Sequence, residues 1–142
     1  ITTLLIPGEN DSDEELRALT DWVVEALGHE VPLHFSASHP DWKMTETPRT
    51  PLETLRRARR IGKEAGLCHV YTGNVHDREG DTTSCTGCGT DVIVRDWYRL
   101  LDYRLDEQGQ CLACGQQLAG VFDGPAGSWG ARRQRLTSIS GS

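Results

Sequence analysis

Four cysteines in two matched hooks carry the clearest chemistry in this sequence: Cys85-Thr86-Gly87-Cys88-Gly89 and, later, Cys111-Leu112-Ala113-Cys114-Gly115. Two Cys-x-x-Cys hooks at this separation have metal-binding spacing, because each turns its thiolates towards a common point. Four thiolates suit tetrahedral Zn²⁺. A shell supplied wholly by protein leaves no open position for substrate or activated water, so the expected site is structural. Rubredoxin-like iron is the rival metal and disulfide formation the rival chemistry. A dithiol redox role fits less well, since such a pair opens a helix in a thioredoxin-like unit, whereas both hooks here flank short strands. The glycine after the second cysteine permits the positive φ that a tight knuckle often needs.

The hooks must be held by something small. Residues 91–95 and 98–105 read as two strands joined near Asp96-Trp97, a section too short to bury much core, so metal binding is expected to supply much of its folding free energy. The fifth cysteine, Cys68, lies far from both hooks and is expected inside an earlier strand as a small buried hydrophobe.

The first half reads as β-α-β-α-β. Residues 1–6 are apolar and β-branched and are stopped by Pro7-Gly8, the pattern of a strand buried on both faces of a parallel sheet. Ser12 as N-cap, Glu15 three residues on, and Asp13 and Glu14 between them open a helix, with Leu16, Leu19, Val23, Ala26 and Leu27 on its apolar face. Residues 31–35 give a second strand with Pro32 at its start. Thr50, Pro51 and Glu53 open a second helix whose face is Leu52, Leu55, Ala58, Ile61 and Ala65. Residues 67–72 give a third strand. Strands alternating with crossover helices predict a parallel α/β sheet, with ligands gathering beyond the strand C-termini at residues 7–11, 36–42 and 73–76. Asn10, Asp11, His39 and Asn74 fall there and could orient a ligand, or could equally serve turns and caps. The basic run Arg56, Arg57, Arg59, Arg60 and Lys63 lacks interleaved aromatics and reads as a solvated helix face.

The order of these segments, from Thr2-Thr3-Leu4-Leu5-Ile6-Pro7-Gly8 and Asn10-Asp11 through His34-Phe35-Ser36, His39-Pro40-Asp41, Thr50-Pro51-Leu52 and Val70-Tyr71-Thr72-Gly73-Asn74-Val75 to the paired hooks, resembles the C-terminal half of the AmmeMemoRadiSam system radical SAM enzymes, relatives of the pyruvate formate-lyase activating enzymes. The resemblance reaches to about Gly130. It implies an α/β chain: the C-terminal segment of a partial (β/α) radical SAM barrel in residues 1–80, a four-cysteine zinc ribbon in 81–122 and a Gly/Arg/Ser-rich tail in 123–142. It also implies S-adenosylmethionine (SAM) and a [4Fe-4S] cluster in the full-length parent, which would cleave SAM reductively to a 5′-deoxyadenosyl radical. The family holds that cluster with Cys-x-x-x-Cys-x-x-Cys, a spacing this chain lacks, so the catalytic loop is expected in a missing N-terminal barrel half and no catalytic residue is assigned here. By placement, His39 resembles the histidine beside the SAM nucleoside, and Asn10 and Asp11 resemble the strand-end turn bordering the same cofactor.

Composition narrows the partners. A net charge of -6 over 142 residues and a pI near 5.3 argue against a protein built to neutralise phosphates. The sequence offers neither a bilayer-length apolar run nor a signal-peptide pattern, so a cytoplasmic location without membrane attachment is expected. Ile1 opens directly on a strand, which suggests a chain beginning inside a larger protein. The expected partners are the missing barrel half and a protein substrate. The alternative is a noncatalytic zinc-ribbon module that binds protein or nucleic acid, the latter through Arg132, Arg133 and Arg135.

Overall fold

The computed structural model describes residues 1–124 and 126–127; Arg132, Arg133, Arg135 and most of the 123–142 tail lie outside the described residues. The chain is mixed α/β with two three-stranded sheets. The first is parallel and runs β1 (Thr2–Leu5), β2 (Leu33–Ala37), β3 (Val70–Gly73), with α1 (Asp13–Leu27) and α2 (Leu52–Glu64) as its crossovers. The second is antiparallel and runs β4 (Thr83–Ser84), β5 (Asp91–Asp96), β6 (Arg99–Tyr103). Among the described residues no helix is long and apolar enough to cross a membrane.

Helix α1 starts where the sequence places it. Ser12 Oγ accepts the Glu15 backbone N–H at 3.3 Å, and the Ser12 hydroxyl donates to the Glu15 carboxylate at 2.6 Å, while Gly28 ends the helix at φ 94°. Its buried stripe is narrower than expected: Leu16, Thr20 and Val23 are enclosed, whereas Ala26 and Leu27 face solvent. Thr20 escapes a hydropathy pattern because its hydroxyl scores as polar, yet its Oγ1 donates to the Arg17 carbonyl at 3.0 Å and its methyl packs inward. Helix α2 buries Leu55, Ala58, Ile61 and Gly62; a Cβ on Gly62 would stand 3.2 Å from Val70 Cγ2, so this glycine sets how closely α2 approaches β3.

Several local expectations shift. Strand β2 starts at Leu33, because Pro32 cannot donate to the ladder, and extends through Ser36 and Ala37, which pair with Leu4 and Leu5. Strand β3 starts at Val70, so Cys68 precedes the strand and is only half-buried, its N–H donating to the His29 carbonyl at 2.8 Å. Thr50 does not cap α2; Pro51 occupies that position with no side-chain cap. The Thr50 hydroxyl instead donates to the Leu5 carbonyl at 2.6 Å and accepts the Ser38 N–H at 2.9 Å, joining the ends of β1 and β2 in the interior.

One apolar cluster holds the parallel sheet to its helices: Leu5, Leu33, Phe35, Ala37 and Val70 from the strands meet Leu16, Val23, Leu55, Ala58 and Ile61. Each fully buried large side chain of this kind contributes roughly 1.5–3 kcal/mol. Both helices therefore pack on one face. The register sets Thr2, His34 and Tyr71 side by side on the other, followed by Leu4, Ser36 and Gly73. Among the described residues that face is open at β1, where Leu4 is 47% exposed, and is overhung by the β5–β6 hairpin only towards β3, so the expectation of a first strand buried on both faces does not hold.

The segment expected as a polar linker, residues 80–84, is docked instead. The Thr72 N–H donates to the Gly80 carbonyl at 3.2 Å, and the Tyr71 and Thr83 hydroxyls lie 2.7 Å apart. The α2 basic run is likewise engaged. Arg56 pairs with the buried Asp77 at 3.1 Å, Arg57 donates to the Asp11 carbonyl at 2.6 Å, Arg59 pairs with Glu79 at 2.7 Å, and Lys63 donates to the Cys68 carbonyl. These side chains tie the loops to the helix, and their partners are too scattered in sequence to be read from it.

Candidate metal centre and the strand-end pocket

The two cysteine hooks fold as matching knuckles. In the first, Cys85 N–H donates to the Thr90 carbonyl at 2.8 Å and Gly89 N–H to the Cys85 carbonyl at 2.9 Å. In the second, Cys111 N–H donates to the Gln116 carbonyl at 2.9 Å and Gly115 N–H to the Cys111 carbonyl at 2.8 Å. Gly89 and Gly115 adopt φ 74° and 76°, so the glycine expected after each second cysteine is required by the backbone. The pairs Cys85/Cys111 and Cys88/Cys114 also match in burial: the first of each hook is buried against Val92, Leu105 and Leu118, the second is exposed.

All four Sγ atoms lie within 4.8 Å of one another. Between the hooks, Cys85 Sγ lies 3.6 Å from Cys114 Sγ and Cys88 Sγ 3.8 Å from Cys111 Sγ. The edge of a tetrahedron built on Zn–S bonds of about 2.3 Å is about 3.8 Å, whereas a disulfide needs about 2.05 Å. All five cysteines are free thiols. The disulfide alternative is thus set aside, and the donor set fits one tetrahedral ion such as zinc.

The thiols also show why a cation belongs here. Cys88 is held down to about 6 by the Thr90 hydroxyl and backbone N–H and, less strongly, by Cys114. At Cys114 the Gln116 backbone N–H favours the thiolate, but the shared interactions with Cys88, Cys85 and Cys111, together with desolvation, push it up to about 12. One thiolate forms readily and the last only with difficulty, because negative charge accumulates in one small volume. A bound dication removes that penalty and deprotonates its ligands outright.

At the C-terminal end of the parallel strands lies a cavity of about 280 Å³, with Leu4, Ile6 and Met44 on its apolar side and Ser38, His39 and Asn74 among its polar lining. His39 is exposed, with Nε2 3.9 Å from Asp41. Asn74 sits at φ 60°; its Nδ2 donates to the Ala37 carbonyl at 3.1 Å, and its own carbonyl accepts from Arg49 Nη2 at 2.7 Å. Asn10 and Asp11 serve the strand-end turn: Asn10 Oδ1 accepts the Ile6 N–H at 2.8 Å, Asn10 Nδ2 donates to the Leu4 carbonyl at 3.0 Å, and Asp11 Oδ1 accepts the Gly8 N–H at 2.8 Å. The structure thus brings His39 to the cavity with Asn74 and keeps Asn10 and Asp11 in the adjoining turn. Met44 and Arg49 carry no motif in the sequence; only their position after β2 could have pointed to them.

No protein-family model matches the chain, and no solved structure matches it. Over 119 residues it is 42% identical to uncharacterized protein MJ0808 of Methanocaldococcus jannaschii, a stretch amounting to 83% of this chain and 36% of that protein. The chain therefore spans about a third of the length of the curated relative it matches.

Proposed function

We propose that this chain is the C-terminal part of a radical SAM enzyme, in which the parallel sheet supplies three strands of a partial (β/α) barrel and the four-cysteine unit is a structural zinc ribbon. The observation that carries this reading is the open β1 side of the sheet's second face, where Leu4 is 47% exposed among the described residues. Parallel sheets occur almost only with both faces covered. Here both helices occupy one face, while Thr2, Leu4, His34 and Ser36 stand on the other. The edges are unequal too: β3 is met on its outer side by Gly80 and Thr83, whereas β1 has no strand on its outer side among the described residues. Further strands would join at β1, and the second face would become the inside of a barrel.

Within such a barrel, Ser38, His39 and Asn74 would meet the nucleoside of SAM, with Leu4, Ile6 and Met44 against its ring. Bound beside a reduced cluster, SAM supplies a 5′-deoxyadenosyl radical. The cysteines here do not fit that cluster: four converge on one ion, Cys68 stands alone, and no step through the cluster is drawn from this chain. Removed from its barrel partner, the chain is expected to be inactive.

The test extends the protein through its upstream coding frame, with anaerobic reconstitution by iron and sulfide and chemical reduction. The extended protein should form 5′-deoxyadenosine from SAM, and the present chain none while holding one zinc. An upstream frame without three closely spaced cysteines, or an extended protein that leaves SAM intact, would sink the reading. A second reading, a noncatalytic zinc-ribbon module binding a protein, is favoured by Tyr98, Leu100 and Leu101, which are exposed on the ribbon hairpin. It predicts a complete protein that binds its partner without SAM.

A further inference from the structure

The hairpin of β5 and β6 does not project away from the parallel sheet; its tip stands over the β2–β3 side of the second face and forms one wall of an open cleft of about 540 Å³. The sheet side carries the rings of His34 and Tyr71, with centroids 4.9 Å apart. The hairpin side carries Trp97, with Tyr98 beside it at 6.5 Å, and Arg95 lies 5.8 Å above the Tyr71 ring. The tip is pinned in place: the Trp97 indole N–H donates to His76 Nδ1 at 2.8 Å, and Arg95 Nη1 reaches the Asp81 carbonyl and the Thr83 hydroxyl, each at 3.1 Å. Trp97 itself holds φ 53°, uncommon for a bulky residue.

Two half-buried opposite charges line this cleft without meeting. Arg95 and Asp81 both contribute to it, yet among the described residues neither side chain has an ion-pair partner within 4.0 Å. The arginines of α2, by contrast, each have a carboxylate. Arg95 is fixed through Nη1 by neutral acceptors, which leaves donors of its planar fork for a carboxylate. The Asp81 carboxylate is met by the Trp97 backbone N–H and by no cation within 4.0 Å among the described residues, which leaves an acceptor for one.

We propose that this cleft binds an aromatic α-amino acid, its carboxylate on Arg95, its ammonium on Asp81 and its ring against the aromatic side chains that line the cleft. The inference rests on the cleft's own residues and does not require the SAM reading, since binding is measured without SAM.

The test is calorimetry on the zinc-loaded chain with four probes: L-phenylalanine, 3-phenylpropionate, which lacks the ammonium, phenethylamine, which lacks the carboxylate, and glycine, which lacks the ring. L-Phenylalanine should bind at least tenfold more tightly than each of the others. Arg95→Gln should erase the preference over phenethylamine while keeping that over 3-phenylpropionate; Asp81→Asn should do the reverse. Zinc content and circular dichroism verify that each variant folds, and should one fail, the four-probe ranking on the unmodified chain decides. Absence of L-phenylalanine binding, equal binding of the three aromatic probes, or variants that weaken all probes alike would overturn the assignment.

Discussion

Replacing either knuckle glycine with alanine should weaken zinc binding by a similar, calculable amount. Gly89 and Gly115 sit at φ 74° and 76°, and a Cβ at either would meet nothing within 4 Å. The cost is therefore conformational alone, about 1–2 kcal/mol for an L-residue forced into the left-handed region. Because folding of so small a unit is coupled to metal binding, that cost should appear in the zinc affinity, as about a 5–30-fold rise in Kd for Gly89→Ala and for Gly115→Ala. Asparagine tolerates this region better, so Gly89→Asn should cost less than Gly89→Ala. Gly8→Ala is the control: its φ of 79° and open surroundings impose the same penalty, but in the parallel-sheet unit away from the metal. Competition against a chromophoric chelator measures all four. If the two knuckle variants stay within twofold of the parent, or Gly8→Ala weakens zinc as much as they do, the coupling of knuckle geometry to metal affinity is wrong.

Thr50→Val keeps shape but strips a partner from the buried Leu5 carbonyl and from the Ser38 N–H; at about 1–3 kcal/mol for each group left unpaired, urea unfolding should show a loss of roughly 2–6 kcal/mol. Gly80→Ala drives a Cβ into Thr72 Oγ1 and sets it 2.7 Å from Asp77 Oδ2, so hydrogen exchange at the Thr72 amide should accelerate. His69 is buried, and desolvation first, then the charge of Lys63, lowers its pKa against the opposing pull of Glu30. The unfolded chain then binds more protons below about pH 6.5, so stability is full above that value and falls as pH drops through it. His69→Gln should flatten that slope in urea midpoints taken between about pH 7.5 and 5.5, and an unchanged slope would assign the acid sensitivity elsewhere. Thr90→Val removes the hydroxyl that favours the Cys88 thiolate, so protons should compete better for the site and the pH midpoint of zinc release should rise relative to the parent; an unchanged midpoint would deny the hydroxyl that role.

The metal centre was legible because its information is local. Ligand identity, hook spacing and the glycine after each second cysteine all lie within five residues, and the same pattern appears twice. The β-α-β-α-β order was legible for a similar reason: Ser12, Glu15 and Pro51 punctuate helices within one turn. Strand limits were not, because Pro32 and the loop before Val70 decide where ladder pairing begins, which depends on the neighbouring strand. Thr50 reads as a cap in sequence and becomes a bridge only when Leu5 and Ser38 arrive beside it from 45 and 12 residues away. Long-range polar contacts of this kind leave no periodic signal.

The segment around Gly80 shows why a polar, glycine-containing stretch need not be a tether. Gly80 is buried at an ordinary φ, so it is there for contact and not for flexibility: no side chain fits between it and Thr72. Its carbonyl takes the Thr72 N–H at the outer edge of β3, and Asp77, held by Arg56 from α2, fixes the turn leading into it. Three residues on, Thr83 receives both the Tyr71 hydroxyl and Arg95. The edge of the parallel sheet and the root of the ribbon are thus joined through backbone and buried side chains. A metal ion on the four cysteines would therefore hold both legs of the β5–β6 hairpin at Cys88 and Cys111, and with them Arg95 and Trp97 over the sheet. The ribbon's fold and the shape of the cleft beside it are consequently one structural problem, and losing zinc should disturb both.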